Sequence, residues 1–111
     1  MYQVAVRAAE LAWTPLDFVG VFIKTLHRDE ATGATTVMTK MEAGAIIPKH
    51  HHGVADETVY ILEGDFEEDG RPFEVGSFFV GKAGTTHGPH ASHRGCFLLT
   101  TFSAEVDFLL D

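Results

Sequence analysis

A chain of 111 residues makes one domain, because a second core would leave both halves too small to stabilise themselves. Hydrophobic residues make up 45% and there are nine Phe, so a packed core is expected and a disordered tail is excluded. Eight Lys and Arg against sixteen Asp and Glu give a net charge of −8, which repels nucleic-acid backbones and anionic lipid alike.

Met1-Tyr2-Gln3-Val4 lacks the basic start and apolar run of a secretory signal, and no apolar run approaches a membrane span; the longest are Phe18 to Ile23 and Phe97 to Leu99. Two readings stay open over residues 1–12: a helical turn from Arg7 to Leu11, or a strand from Tyr2 to Val6 added to a neighbouring subunit. From Asp17 to His27 apolar residues fall on both parities, with Phe18, Phe22 and Leu26 on one and Val19, Val21 and Ile23 on the other. A strand apolar on both faces is covered on both, which predicts sheet-on-sheet packing plus a subunit contact, hence a homodimer. Asp29 to Gly33 supplies turn residues and Ala34 to Glu42 resumes β-type residues, so this pair reads as a hairpin.

Gly44 to Gly64 carries the chemistry. Three imidazoles and one carboxylate fall within His50 to Glu57. If Lys49 to His52 is extended, His50 and His52 share one side while His51 points away. Gly53 to Asp56 then bend the chain, and Glu57 opens a strand-like run to Leu62 whose odd positions share a face. Two imidazoles beside a carboxylate suit Zn, Fe, Ni, Cu or Mn. The plainer reading is a polar turn rich in histidine.

Asp65 to Asp69 and Arg71 to Val75 flank Asp69-Gly70, a strong hairpin signal. The acidic residues Glu63, Asp65, Glu67, Glu68 and Asp69 lack the ordered oxygen pattern of a calcium loop and read as a solvated hairpin tip. Gly76 turns the chain into Ser77 to Val80, and Lys82-Ala83-Gly84 bends it toward His87, with His90 and His93 competing for the same role. Arg94 to Ser103 is a last long strand, and Val106 to Leu110 is placed to cover an edge. The lone Cys96 reads as a small buried hydrophobe, excludes an intramolecular disulfide and fits a reducing, cytoplasmic setting. Short strands with Gly and Asp turns and no helical stripe predict an all-β sandwich or barrel.

The spacing of Gly44, His50-x-His52, Glu57 and Gly64 resembles the first cupin motif (44–64), and Gly76, Lys82-Ala83-Gly84 and His87 resemble the second (76–91). The family usually has Pro at the position of Lys82 and often Asn at that of Ala91; neither is normally a metal ligand. Trp13-Thr14-Pro15, the run Gly20 to Leu26, the Glu63-Gly64-Asp65-Phe66 corner and Arg94-Gly95-Cys96 are similar to the ChrR-type subgroup, which includes the cupin half of zinc-binding anti-sigma factors and is similar to acetylacetone-cleaving dioxygenases. The resemblance implies a single-domain cupin jelly-roll barrel over residues 1–111. It also implies one divalent transition ion held by His50, His52, Glu57 and His87, with iron(II) favoured. The activity expected is oxygen-dependent cleavage of a small diketone or enolate, with Glu57 as ligand or base; the alternative is a ChrR-like zinc sensory module without catalysis. The acetylacetone-cleaving enzymes use three histidines, so Glu57 at the fourth position is a departure from them.

Overall fold

Runs of β-branched and aromatic residues between glycine turns form twelve strands in the computed structural model, which describes residues 1–111. They are β1 (Thr14–Pro15), β2 (Val21–Arg28), β3 (Thr35–Met41), β4 (Ile46–Ile47), β5 (His50–His51), β6 (Glu57–Gly64), β7 (Phe66–Glu68), β8 (Arg71–Phe73), β9 (Phe78–Gly81), β10 (His90–Ala91), β11 (Cys96–Phe102) and β12 (Leu109–Leu110). A single 3-10 turn, Ala8–Glu10, precedes them within the segment where a helical turn was one reading.

A six-stranded sheet in the order β1-β2-β3-β11-β6-β9 faces a four-stranded sheet in the order β4-β10-β7-β8, and β12 pairs with β5. The result is an all-β jelly-roll barrel. Strict alternation of buried and half-buried positions along β11 puts Cys96, Leu98, Thr100 and Phe102 inside. Val21, Met41 and Ile61 from the large sheet meet Ile47 and Phe66 from the small one in the main core. Each such side chain contributes about 1.5–3 kcal/mol through burial. Both hairpins read from the turns form: β2 pairs antiparallel with β3, and β7 with β8, where Asp69 and Gly70 both take positive φ.

Three expectations need correction. The strand expected from Asp17 begins only at Val21, because Gly20 turns at φ +79° and leaves Val19 exposed in the preceding bend. The outer face of the large sheet is covered in part by the same chain: Lys24 donates from Nζ to Ala8 O at 2.8 Å, and the Trp13 ring lies against Phe97 and beneath the Lys24 and Lys40 ammoniums. The two-sided apolar pattern therefore does not by itself call for a subunit contact. The acidic run, in turn, is more than a solvated tip. Asp65 accepts from the backbone N–H groups of His93 and Arg94, both at 2.8 Å, and Glu68 from that of Gly88 at 2.6 Å.

Candidate metal centre

The site is assembled by a backbone exchange. His50 N–H donates to His87 O at 2.9 Å and His87 N–H donates to His50 O at 2.8 Å, a mutual pair that sets the two imidazoles side by side on one face. Their Nε2 atoms are 3.0 Å apart. Extension through β5 turns His52 to the same side as His50, and both are almost fully buried, whereas His51 turns outward to Asp111 at 2.7 Å. Glu57, the first residue of β6, brings Oε1 to 3.3 Å from His87 Nε2 and 3.8 Å from His52 Nε2. His50, His52, Glu57 and His87 are thus brought together.

Loop contacts hold the segments in register. The Lys82-Ala83-Gly84 bend is tied to the first motif by Ala83 N–H donating to Asp56 Oδ1 at 2.9 Å and Gly84 N–H donating to His52 O at 2.7 Å. Lys82, where the resemblance favours Pro, lies 3.6 Å from Asp56 at the surface. At Gly81 a Cβ would lie 3.0 Å from His87 Nδ1, so glycine leaves room for that ring.

Carbonyl acceptors set the ring tautomers. His50 Nδ1 donates to Pro48 O at 2.7 Å and His52 Nδ1 to Asp107 O at 2.5 Å, so both Nε2 atoms carry lone pairs into the cluster. Burial opposes charge on every member. It lowers His50 and His52, and with the neighbouring imidazoles it takes His87 down to about 4. Burial also pushes the Glu57 carboxyl up to about 7. Three neutral imidazoles are ready to donate.

The donor set fits a divalent transition ion. His52 Nε2 is buried without a hydrogen-bond partner, a costly arrangement that a cation relieves. Donors about 2.1 Å from one ion stand roughly 3.0 Å apart at right angles and about 3.4 Å apart at tetrahedral angles. The separations of 3.0 Å for His50–His87, 3.3 Å for Glu57–His87 and 3.8 Å for Glu57–His52 fall in or just beyond that range. Nitrogen donors with one carboxylate suit Fe, Zn, Mn, Ni or Cu.

A cavity of about 210 Å³ opens onto His50 and Glu57. Ile23, Val37, Leu98, Phe102 and Phe108 supply apolar wall, the Thr39 and Thr100 hydroxyls bond each other at 3.2 Å, and neither Lys nor Arg lines it. Among the aromatic side chains, Phe66 and Phe102 line this cavity and Phe79 a smaller recess, whereas Phe78 is exposed. His93 stays at the surface with Glu67.

Four contributors were not legible as such. Asp107 orients His52, and Phe108 packs at 5.1 Å from the His50 ring and 4.9 Å from that of His52. Glu68 was hidden in the acidic run, and His90, which the sequence offers as a rival to His87 or as a partner or substrate contact beside the metal, lines the cavity. The expected edge cover was the one signal for the tail: β12 does pair with β5.

The ChrR cupin-like domain family model matches residues 1–105. Among solved structures, a candidate acetylacetone dioxygenase from Methylibium petroleiphilum PM1 superposes with a TM-score of 0.82 at 17% identity, over 98% of this chain and 82% of that one. An acetylacetone dioxygenase from Acinetobacter johnsonii gives 0.78 at 18% identity, covering 100% and 79%. The anti-sigma factor ChrR, in its complex with SigE of Rhodobacter sphaeroides, gives 0.69 at 21% identity, covering 86% of this chain and 50% of that one. No curated protein sequence matches significantly. A jelly roll with this four-residue cluster at its mouth, matched along nearly its whole length, belongs to the ChrR cupin-like domain family.

Proposed function

We propose that the protein is a metal-dependent dioxygenase acting on a small diketone or its enolate, with His50, His52, Glu57 and His87 holding one iron(II) ion. The observation that carries this reading is the cavity: small, apolar, free of Lys and Arg and open to the donor cluster. Such walls suit a compact guest whose few oxygens are met at the cluster. A sugar phosphate or polycarboxylate would find no basic partner there.

A bound iron(II) would supply Lewis acidity toward the substrate oxygens and redox reactivity toward O₂. The chain's own residues do the rest. Glu57, with its carboxyl pushed up to about 7, is matched as a base to take the proton from the carbon between two carbonyls near neutral pH; as a carboxylate it is equally a fourth ligand. His50 and His52 are held by carbonyl acceptors, so their rings need not reorganise. Phe102, Phe108 and Val106 line the cavity with apolar surface that disfavours water.

Oxygen uptake by iron-loaded protein with a panel of β-diketones tests the proposal, and no uptake at full iron loading refutes it. The family match favours a second reading, a zinc-binding sensory module. Metal analysis after purification without added metal separates the two: iron, manganese, nickel or copper supports the enzyme, and tightly held zinc without an exchangeable position supports the module.

Cytoplasmic location and a homodimer complete the proposal. No helix is long and apolar enough to cross a membrane. The support for a dimer is the exposed row Tyr60, Leu62, Phe78 and Val80 on the outer face of β6 and β9, and a monomer in sedimentation would refute it.

A further inference from the structure

Beside the four donors matched in sequence, a fifth stands at the same place. His90 lies in β10, between β4 and β7, and lines both the main cavity with His50 and Glu57 and the smaller recess with His87. Its ring centroid is 5.4 Å from that of His50 and 5.4 Å from that of His87, and it stacks within 29° of the latter. Ligand atoms of His50, His87 and His90 lie within 4.8 Å of one another, as do those of His52, Glu57 and His87. The two groups share His87, so the five side chains form one cluster.

The back of His90 is held by an acid. Its Nδ1 sits 2.5 Å from Glu68 Oε2, off the line of an ideal N–H bond, while Glu68 Oε1 accepts from Gly88 N–H at 2.6 Å. With Nδ1 against the carboxylate, Nε2 is the nitrogen left for another partner. A carboxylate behind an imidazole is a common way to orient a ligand and raise its basicity.

Resting on the metal-centre reading above, we propose that His90 is a fifth protein donor to the same ion, a displaceable imidazole covering the coordination position that faces the cavity. Four imidazoles and one carboxylate leave a six-coordinate ion one position. A guest binding through two oxygens needs two, so one protein ligand must yield. His90 is the one on the cavity wall held at its back by a side chain, which can move with it, whereas His50 and His52 are held at Nδ1 by the backbone carbonyls of Pro48 and Asp107. Glu68 keeps the released ring beside the guest.

Copper(II)-loaded protein tests this by pulsed EPR, which counts coordinated imidazoles through their remote nitrogens. Wild type should show four and His90→Ala three, still with one copper per chain but bound about tenfold or more weakly. Acetylacetone, used as a two-oxygen probe, should lower the wild-type count from four to three without releasing copper. His90→Leu serves in place of His90→Ala if circular dichroism shows the latter to be misfolded. Three imidazoles in wild type, unchanged on removing His90, overturn the proposal yet keep the metal centre. Wild type that takes up no copper removes the metal-centre reading itself.

Discussion

Gly44 and Gly64 open and close the first motif with similar backbone angles, φ +85° and +90°, but they stand in different surroundings. A Cβ at Gly44 would meet nothing within 4 Å, whereas one at Gly64 would lie 2.0 Å from Gly95 O and 2.7 Å from Cys96 Cα. Alanine at either site pays the positive-φ cost of about 1–2 kcal/mol. At Gly64 the Gly95 carbonyl would also have to retreat by about 1 Å to reach 3.0 Å, the shortest approach real Cβ atoms show. Retreat is obstructed, since Gly95 O accepts from Asp65 N–H at 3.3 Å and Cys96 is paired with Gly64. Overpacking of this kind adds about 1–3 kcal/mol. Gly44→Ala should therefore lower the midpoint of thermal unfolding by about 4–12 °C and Gly64→Ala by about 10–30 °C. Thermal unfolding followed by circular dichroism measures both midpoints and urea unfolding the free energies, with a chelator present so that bound metal adds no stability. Equal losses, within about 0.5 kcal/mol, would refute the steric argument.

His52→Ala should abolish metal retention in a protein that remains folded, and retention at wild-type stoichiometry would show that the ligands are misassigned. Burial holds the Glu57 carboxyl at about 7 against an ordinary 4.5, so the metal-free folded chain binds that proton more tightly than the unfolded chain does. The stabilisation is full below the ordinary value and is lost as pH rises through about 7. Metal-free Glu57→Gln should accordingly gain on wild type near pH 8, by up to about 3 kcal/mol, and not near pH 5; a pH-independent gap in denaturant titrations would refute this. Metal affinity should fall below about pH 7 through Glu57 before the imidazoles charge, because His87 titrates only at about 4; isothermal titration on wild type and Glu57→Gln checks it. Lys24→Met removes the bond to Ala8 O and the cation over Trp13, so limited proteolysis should cut ahead of Trp13 faster than in wild type, and an unchanged rate would refute that tether.

Local rules carried much of the fold. Period-two alternation put His50 and His52 on one side and His51 on the other, and the Asp69-Gly70 pair specified its hairpin, because side-chain direction along a strand and backbone angles in a turn depend on near neighbours. The partnership of His87 with His50 was legible only through resemblance to a family. A separation of 37 positions leaves no local signal of their mutual backbone bonds.

What the sequence by itself determined is the all-β character, the turns and the parity of the donor-rich stretch. Tertiary structure alone decided that Asp107 reaches back 55 residues to hold the His52 ring, that Lys24 turns outward onto Ala8 and Trp13, and that Glu68 leaves the acidic run to stand behind His90. The physical reason is common to all three: each contact joins segments brought together only by folding, where packing and desolvation, not neighbouring residues, select the partner.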